Sequence, residues 1–583
     1  MKINRHYTKL LLLVVTSSIF VLVYSTVRQI YLSRNAVSPS DLLRLQLDLS
    51  RSTLNDNQII SNIKMIKCNR LLSCQVPDGY TILNPALNHH LESGKKIYDW
   101  DVHVIVKMAK LEEATKYISD ISLQKKDGYE LVTCSKKGSK NNNSSNNNNN
   151  DNNDNNDNDG DGDGDEDNDS LMSTTATNFK FYKQIKVTNT ENPIKDDQQV
   201  LRGFDILFGS NDLVDSRKYH QSLHLTSHES IHPILSISMM SNNDVADHKR
   251  DMKQKDENMG KLTTTSEKYK IMQLSDLHFG QDLGHCDSNG NICKSSDLKT
   301  LKFVEAALKL EEPELVVITG DLIDVDRSLD YKSVILKSLQ PVLAAGVKFV
   351  YTFGDEVSSA SSEIKKNIIE FFASLPNCLN TVPNADAEHL NGLSNYDFRI
   401  THTDLHQTVE VSVLDSQGHL IDESQINYLY RLNNQDTKAD YKLLFFHHPL
   451  PQFRPEGVFK IIGSYNEKHP MQTATSAKFH DDIINCGYHV VSVGHEHEND
   501  ACIFSELSKT AKTGGGNDDA GKSMWLCYNS ITGDSGITKL NEEYVRKLRM
   551  FEADFSKQRL LSWKRKEDDQ SAFETQLIYQ KDV

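Results

Sequence analysis

Four short apolar runs in the second half of the chain each end in side chains that bind metals. Gln273-Leu-Ser-Asp276-Leu-His278-Phe-Gly280 follows the run from Tyr269 to Leu274, and Gly320-Asp321 follows Leu315 to Ile318. His447-His448-Pro449 follows Leu443 to Phe446, and Gly494-His495-Glu-His497 follows Val490 to Val493. Carboxylates and imidazoles are the donors that hold hard or borderline divalent ions, and open α/β sheets place their sites just past the carboxyl ends of strands. Asp276, His278, Asp321, His447, His495 and His497 offer two carboxylates and four imidazoles. That set suffices for a pair of ions bridged by one carboxylate, an arrangement that activates hydroxide while clamping two phosphate oxygens. Any one of these histidines alone reads more readily as a core or surface residue than as a ligand; six such groups at strand ends do not.

The elements that must position them alternate. Strands are expected at 269–274, 315–319, 347–353, 408–414, 442–446, 489–493, 524–528 and 546–554. Helices are expected near 297–310, 329–345, 361–374, 423–434 and 475–485. This alternation predicts layered sheets and helices, with mixed strand directions where connections are short.

Upstream, the reading is of a short cytosolic tail (1–9), a transmembrane signal anchor (10–27), an accessory region (28–265) and the site-bearing domain (266–583). Leu10 to Val27 is uncharged and mostly Leu, Val, Ile and Phe, about the minimum length that crosses a bilayer. Lys2, Arg5 and Lys9 before it favour a cytosolic N-terminus and a lumenal or extracellular bulk, in the secretory pathway or vacuole. A cleaved signal peptide competes, although no small-x-small site precedes the return of charge. The accessory region is expected to open with a helix (Ser40 to Ile63) and to continue with strands such as Gly79–Leu83 and Val102–Val106. Its 135–178 stretch is Asn, Asp, Ser and Gly, too polar to offset ordering entropy, and reads as a disordered insert; 241–265 reads as a polar linker. The net charge of −16 is largely local, because residues 141–170 hold ten Asp/Glu and no Lys or Arg. With no basic stripe, nothing argues for nucleic acid. Within the insert, Asp157-x-Asp159-x-Asp161-Gly162 mimics the start of a calcium loop, but the closing Glu falls on Asn168. Asn142, Asn143 and Asn168 fit the glycosylation pattern. Nine cysteines suit an oxidising compartment; Cys286 with Cys293 and Cys502 with Cys527 are the pairs expected, with buried free thiols the other reading.

Asp-x-His, Gly-Asp, His-x-Pro and Gly-His-x-His in that order resemble the calcineurin-like metallophosphoesterases, over roughly half the chain. Phe446-His-His-Pro-Leu-Pro451, Gly494-His-Glu-His-Glu-Asn-Asp500, Trp525-Leu-Cys-Tyr528 and Arg546-Lys-Leu-Arg-Met-Phe-Glu552 resemble the fungal membrane-anchored branch and the plant purple acid phosphatase 29 group. The resemblance implies a four-layer α/β/β/α sandwich and a phosphomonoesterase acting on phosphoproteins or small phosphoesters. It also implies two divalent metal ions. Metal one would take Asp276, His278 and His497, metal two His447 and His495, with Asp321 bridging. His448 stands where relatives usually carry an apolar residue and is given no ligand role. Purple phosphatases have a Tyr three residues after the bridging Asp; Asp324 stands there instead, so Mn, Zn or Fe(II) is expected rather than a charge-transfer iron site.

One departure bears on catalysis. The family has Gly-Asn-His followed by Asp or Glu, in which Asn binds metal two and His protonates the leaving group, whereas this chain has Phe353-Gly354-Asp355-Glu356-Val357. Either Asp355 and Glu356 stand in for that pair, Asp355 as a ligand in place of the amide and Glu356 as general acid if its pKa were raised toward neutrality, or a deletion has removed it. The alternative is a catalytically weak or inactive phosphatase fold with a binding or regulatory role.

Overall fold

A computed structural model describes residues 57–134 and 179–581, apart from 70–73, 89–99, 190, 226–230, 258–259, 283, 285, 289–290, 294, 359, 383–389, 435–437, 467–472, 509–521, 535–544 and 568. The expected anchor at 10–27 and the 135–178 insert, with its calcium-like run and its three glycosylation patterns, lie outside the described residues. Among the described residues no helix is long and apolar enough to cross a membrane.

Two sheets stack face to face. One has six strands in the order Lys348–Thr352, Leu315–Thr319, Lys268–Leu274, Lys547–Asp554, Arg559–Lys566, Asp569–Gln580. The other has eight, in the order Lys261–Thr264, Tyr396–His402, Thr408–Val413, Tyr441–Phe446, Val490–Val493, Ser523–Tyr528, Cys502–Glu506, Ile461–Ile462. Side chains alternate along each strand, so Ile271, Val317 and Val350 meet Phe398, Val411, Leu443 and Val490 between the sheets. Met272, Val316 and Ile318 point the other way, onto helices Ser296–Glu311, Tyr331–Ala345 and Ser362–Ser374. On the far side Leu444, Val491 and Leu526 pack with Leu429 and Ile483 from helices Glu423–Asn433 and Lys478–Asn485. The result is the four-layer α/β/β/α sandwich. Burial on both faces explains why the central strands are continuous apolar runs.

Helix ends follow local chemistry. Asp330 accepts from the N–H groups of Lys332 and Ser333 at the start of Tyr331–Ala345, and Gly346 ends that helix at φ 66°. Asp422 and Gln425 form a reciprocal capping box.

The accessory region is built of three small antiparallel sheets that share one core. Two expectations are corrected here. Gln58–Asn69 is a strand rather than the end of a helix, because it pairs along its length with Trp100–Lys110 and buries Ile59, Ile60 and Ile63. The segment read as a linker contains the 16-residue helix Asn242–Glu257, and Lys261–Thr264 pairs in parallel with Tyr396–His402 as an edge of the larger sheet. The accessory sheet of Val200–Gly209 docks on helix Tyr331–Ala345: Leu207 and Ile234 join that helix's core, and Asp205 pairs with Lys332 at 2.7 Å and Arg217 at 2.7 Å.

Cys502–Cys527 is a disulfide, as expected, and Cys68–Cys74 is a second one that spacing did not suggest. Cys286 and Cys293 face each other in the backbone register of a short hairpin.

Candidate metal centre

Every candidate residue follows the carboxyl end of a parallel strand. Lys268–Leu274, Leu315–Thr319 and Lys348–Thr352 run parallel in the smaller sheet, as do Thr408–Val413, Tyr441–Phe446 and Val490–Val493 in the larger one. Their loops meet along one rim. To turn side chains back across it, Asp276 (φ 54°), His278 (48°), Asp321 (48°) and His495 (67°) adopt the left-handed region, which costs a non-glycine residue roughly 1–3 kcal/mol. Gly320 (φ 79°) makes the approach possible: a Cβ there would lie 2.6 Å from His447 Nδ1 and 2.6 Å from Gly354 Cα.

Two clusters result. In the first, His278 Nε2 lies 3.3 Å from His497 Nε2, and His497 Nε2 lies 3.6 Å from Asp276 Oδ1. Asp276 is fully buried; its Oδ2 accepts from the Ser275 hydroxyl at 2.5 Å and from the His495 N–H at 3.1 Å. In the second, Asp355, His447, His448 and His495 each bring one ligand-type atom within 4.8 Å of the others. Asp321 lies between the clusters. Its Oδ1 accepts from the N–H groups of Asp355 (2.6 Å) and Glu356 (3.2 Å), which leaves Oδ2 at 3.8 Å from His278 Nε2 and 3.7 Å from His447 Nε2. All six residues expected as ligands are thus brought together, with Asp321 in the shared position.

The donor set fits divalent ions. Buried His447 donates from Nδ1 to the Thr319 carbonyl at 2.8 Å, which fixes its tautomer, and its Nε2 has no hydrogen-bond partner. A backbone-anchored imidazole with its other nitrogen bare is how proteins present a metal ligand. Burial, and then its histidine neighbours, lower the His278 pKa against the pull of Asp321, so the ring is neutral and can ligate. For Asp321, burial is outweighed by the neighbouring His447 and His278, which hold the carboxyl below its usual range.

The replaced segment has a different geometry from the one expected. Glu356 is no candidate acid. Its Oε2 accepts from the N–H groups of Asp321 (2.9 Å) and Gly354 (3.1 Å), and its Oε1 pairs with the Tyr351 hydroxyl. Burial and the Asp321 charge push its pKa well above the carboxylate range, but the side chain turns under the loop and braces Asp321. Asp355 does face the rim, its side chain 36% exposed, with Oδ2 3.3 Å from His495 Nδ1 and Oδ1 3.0 Å from His448 Nε2. Although burial opposes it, these two imidazoles hold Asp355 well below the usual range. Sequence reasoning passed over His448, which is buried at this cluster with a pKa lowered to about 4 by burial. His419 was missed as well; its Nε2 lies 3.9 Å from Asp355 Oδ1 and its ring centroid 3.9 Å from that of His448. A histidine after a Gly in the loop following Thr408–Val413 was the available signal.

The loop carrying His495 and His497 is clamped from below. Buried Arg549 donates to the Asp500 carbonyl at 2.7 Å and the Tyr528 carbonyl at 2.9 Å, and Lys564 pairs with the Asp500 carboxylate at 2.9 Å. Glu496 pairs with Arg454 at 2.5 Å. The Gly494–Asp500, Trp525–Tyr528 and Arg546–Glu552 motifs are therefore one structural unit, in which the second and third hold the first.

Residues 269–499 match the family model described as calcineurin-like phosphoesterase. The chain carries a calcineurin-like phosphoesterase domain. Among curated proteins, the domain is 32% identical over 310 residues to Protein SIA1 of Kluyveromyces lactis, covering 52% of this chain and 49% of that protein. It is 29% identical over 337 residues to Phosphatase DCR2 of Saccharomyces cerevisiae, covering 52% and 55%. The match to probable inactive purple acid phosphatase 29 of Arabidopsis thaliana is 24% identical and covers 53% and 86%. The chain thus spans about half the length of the two fungal relatives. Among solved structures, a dimetal phosphatase from Danio rerio aligns with 53% of this chain and 98% of its own, at 10% identity and a TM-score of 0.32.

Proposed function

We propose that the chain is a metal-dependent phosphomonoesterase acting on phosphoproteins or small phosphoesters. Two divalent ions of the Mn, Zn or Fe(II) class would be held by Asp276, His278 and His497 on one side and by Asp355, His447 and His495 on the other, with Asp321 shared. The observation that carries this reading is Asp321 Oδ2, 3.8 Å from His278 Nε2 in one cluster and 3.7 Å from His447 Nε2 in the other. Bound there, the ions supply an activated water and positive charge for the phosphoryl oxygens. The chain's own residues fix the donors, keep His278 neutral, and leave Asp355, His495 and His419 partly exposed at the mouth where a phosphoryl group enters.

A second reading, a weak or inactive phosphatase fold with a binding or regulatory role, is favoured by Glu356. It cannot replace the missing leaving-group acid while its carboxyl is bound to the backbone of Asp321 and Gly354. The disulfides suit a lumenal or extracellular domain, and the 10–27 run suits a membrane anchor.

The test is elemental analysis of the purified full chain, together with hydrolysis of p-nitrophenyl phosphate by wild type and Asp321→Asn. Close to two ions per chain and turnover lost in the variant are expected. Two ions without turnover would select the second reading, and no ions after metal-replete purification would refute the site.

A further inference from the structure

Asp355 brings a third carboxylate to a rim that already carries Asp276 and Asp321, and a ligand carboxylate needs its outer oxygen satisfied to hold its orientation. Its Oδ2 lies on the His495 side at 3.3 Å and its Oδ1 on the His448 side at 3.0 Å, so the two oxygens have different partners.

The proton on His448 can be located from its other neighbour. Ser416 Oγ receives the N–H of His447 at 3.2 Å and the N–H of His448 at 3.1 Å. A hydroxyl oxygen has two acceptor positions and one proton to give. Both positions are used, so the Ser416 proton is left for the atom 3.1 Å away, His448 Nδ1. With Nδ1 accepting, the neutral ring carries its hydrogen on Nε2, and Nε2 can only donate, which it does to Asp355 Oδ1. This is the opposite tautomer from His447, whose Nδ1–H donates to the Thr319 carbonyl and leaves Nε2 bare. Two adjacent histidines on one loop therefore have opposite roles, and proximity of His448 to the cluster does not make it a ligand.

We infer that Ser416, His448 and Asp355 form a positioning relay, in which His448 donates to the outer oxygen of Asp355 and turns the other oxygen toward the second ion. This rests on the proposed two-ion site. It accounts jointly for two departures: the carboxylate in the Asn position and the imidazole in an apolar position. An amide ligand needs no such donor; a carboxylate does.

The experiment is a double-mutant cycle on the full chain, reading the affinity of the second ion by competition with a chelator. His448→Leu is expected to weaken that ion about tenfold or more, and His448→Gln, whose amide nitrogen can donate from a similar place, to restore most of it. In an Asp355→Asn background, His448→Leu should have little further effect. The first ion reports on the parent reading: if wild type binds no ions, the two-ion site fails, whereas equal losses from His448→Leu in both backgrounds overturn only the relay. If the leucine variant does not fold, wild type still decides. In 15N-histidine-labelled protein loaded with 113Cd, His448 should show the Nε2–H tautomer and no cadmium coupling. A coupling, or an Nδ1–H tautomer, overturns the inference.

Discussion

The two clusters on the rim are held in place by different means. Asp276, His278 and His497 are fixed mainly by backbone: two left-handed residues in a turn, a Ser hydroxyl beside them, and the His495 N–H on the buried carboxylate. In the second cluster the His447 ring is anchored to the Thr319 carbonyl and His495 is left-handed at φ 67°, but Asp355 depends on side chains for its orientation. A donor locked by backbone has few alternatives, because another residue at Asp276 would have to tolerate φ 54° and still accept the same hydrogen bonds. A donor held by other side chains can be exchanged together with them. Of the departures from the pattern that the resemblance implies, Asp355 and His448 fall on this second side, and Glu356 lies under the shared Asp321.

The largest expected effect removes what the clusters share. Asp321→Asn keeps the shape but takes away the charge between His278 and His447, and turnover should fall by about 10³-fold, on the order of 4 kcal/mol. Elemental analysis should then show both ions weakened, whereas His278→Ala and His447→Ala should each remove one. Loss of both ions in His447→Ala alone would show that the first cluster does not stand independently.

Next comes the leaving group. A positioned acid contributes typically 10² to 10⁴ in rate, and Glu356 is turned away from the rim. Wild type should therefore hydrolyse aryl phosphates about 10²-fold faster than alkyl phosphates in kcat/KM, and Glu356→Gln should leave that ratio unchanged. Equal rates on the two substrates would mean that another residue on the second side supplies the proton.

How much of this was legible in the sequence depends on what encoded it. The strands Lys268–Leu274, Leu315–Thr319 and Tyr441–Phe446 are buried on both faces, so they read as apolar runs, and the metal-capable residues just past them were visible with them. Arg559–Lys566 and Asp569–Gln580 were missed because they form the outer end of the smaller sheet, with charged residues such as Arg559, Lys566 and Asp569 along them. Lys261–Thr264 was hidden for a similar reason: its apolar content is one leucine, and its pairing with Tyr396–His402 spans more than a hundred residues. In the site, spacing indicated Asp321 and the histidines, but not which way Glu356 turns or that Ser416 lies beneath His448. Those depend on contacts between loops of different strands, which no local pattern records.

Glu356 also gives a stability prediction of intermediate size. Glu356→Ala leaves the buried N–H groups of Asp321 and Gly354 without their acceptor, and an unsatisfied buried donor costs about 1–3 kcal/mol. Denaturant unfolding of the metal-free chain should show a loss in that range. Glu356→Gln, which keeps one accepting oxygen and can donate to the Tyr351 hydroxyl, should lose much less. If the two variants are equally destabilised, the brace under Asp321 depends on the carboxyl's charge or proton rather than on an accepting oxygen.

The smallest effect separates the clusters most finely, because Asp355→Asn should change two affinities in opposite directions. Replacing the carboxylate by an amide removes one negative charge from the second side while keeping a ligating oxygen, so that ion should bind more weakly and the first should be unaffected. The same lost charge had opposed an incoming phosphate dianion. One unit charge a few ångströms away in a partly wetted cleft is worth about 1 kcal/mol, roughly fivefold in affinity. With metal supplied in excess so that both sites are filled, inorganic phosphate should inhibit the variant about fivefold more strongly than wild type. Raising salt should shrink the difference, since Asp355 is exposed enough to be screened. A variant with a weaker second ion but unchanged phosphate inhibition would place Asp355 at the ion and away from the phosphate. Tighter phosphate with unchanged metal affinity would place it at the mouth and not at the ion, leaving His447 and His495 to hold the second side with Asp321.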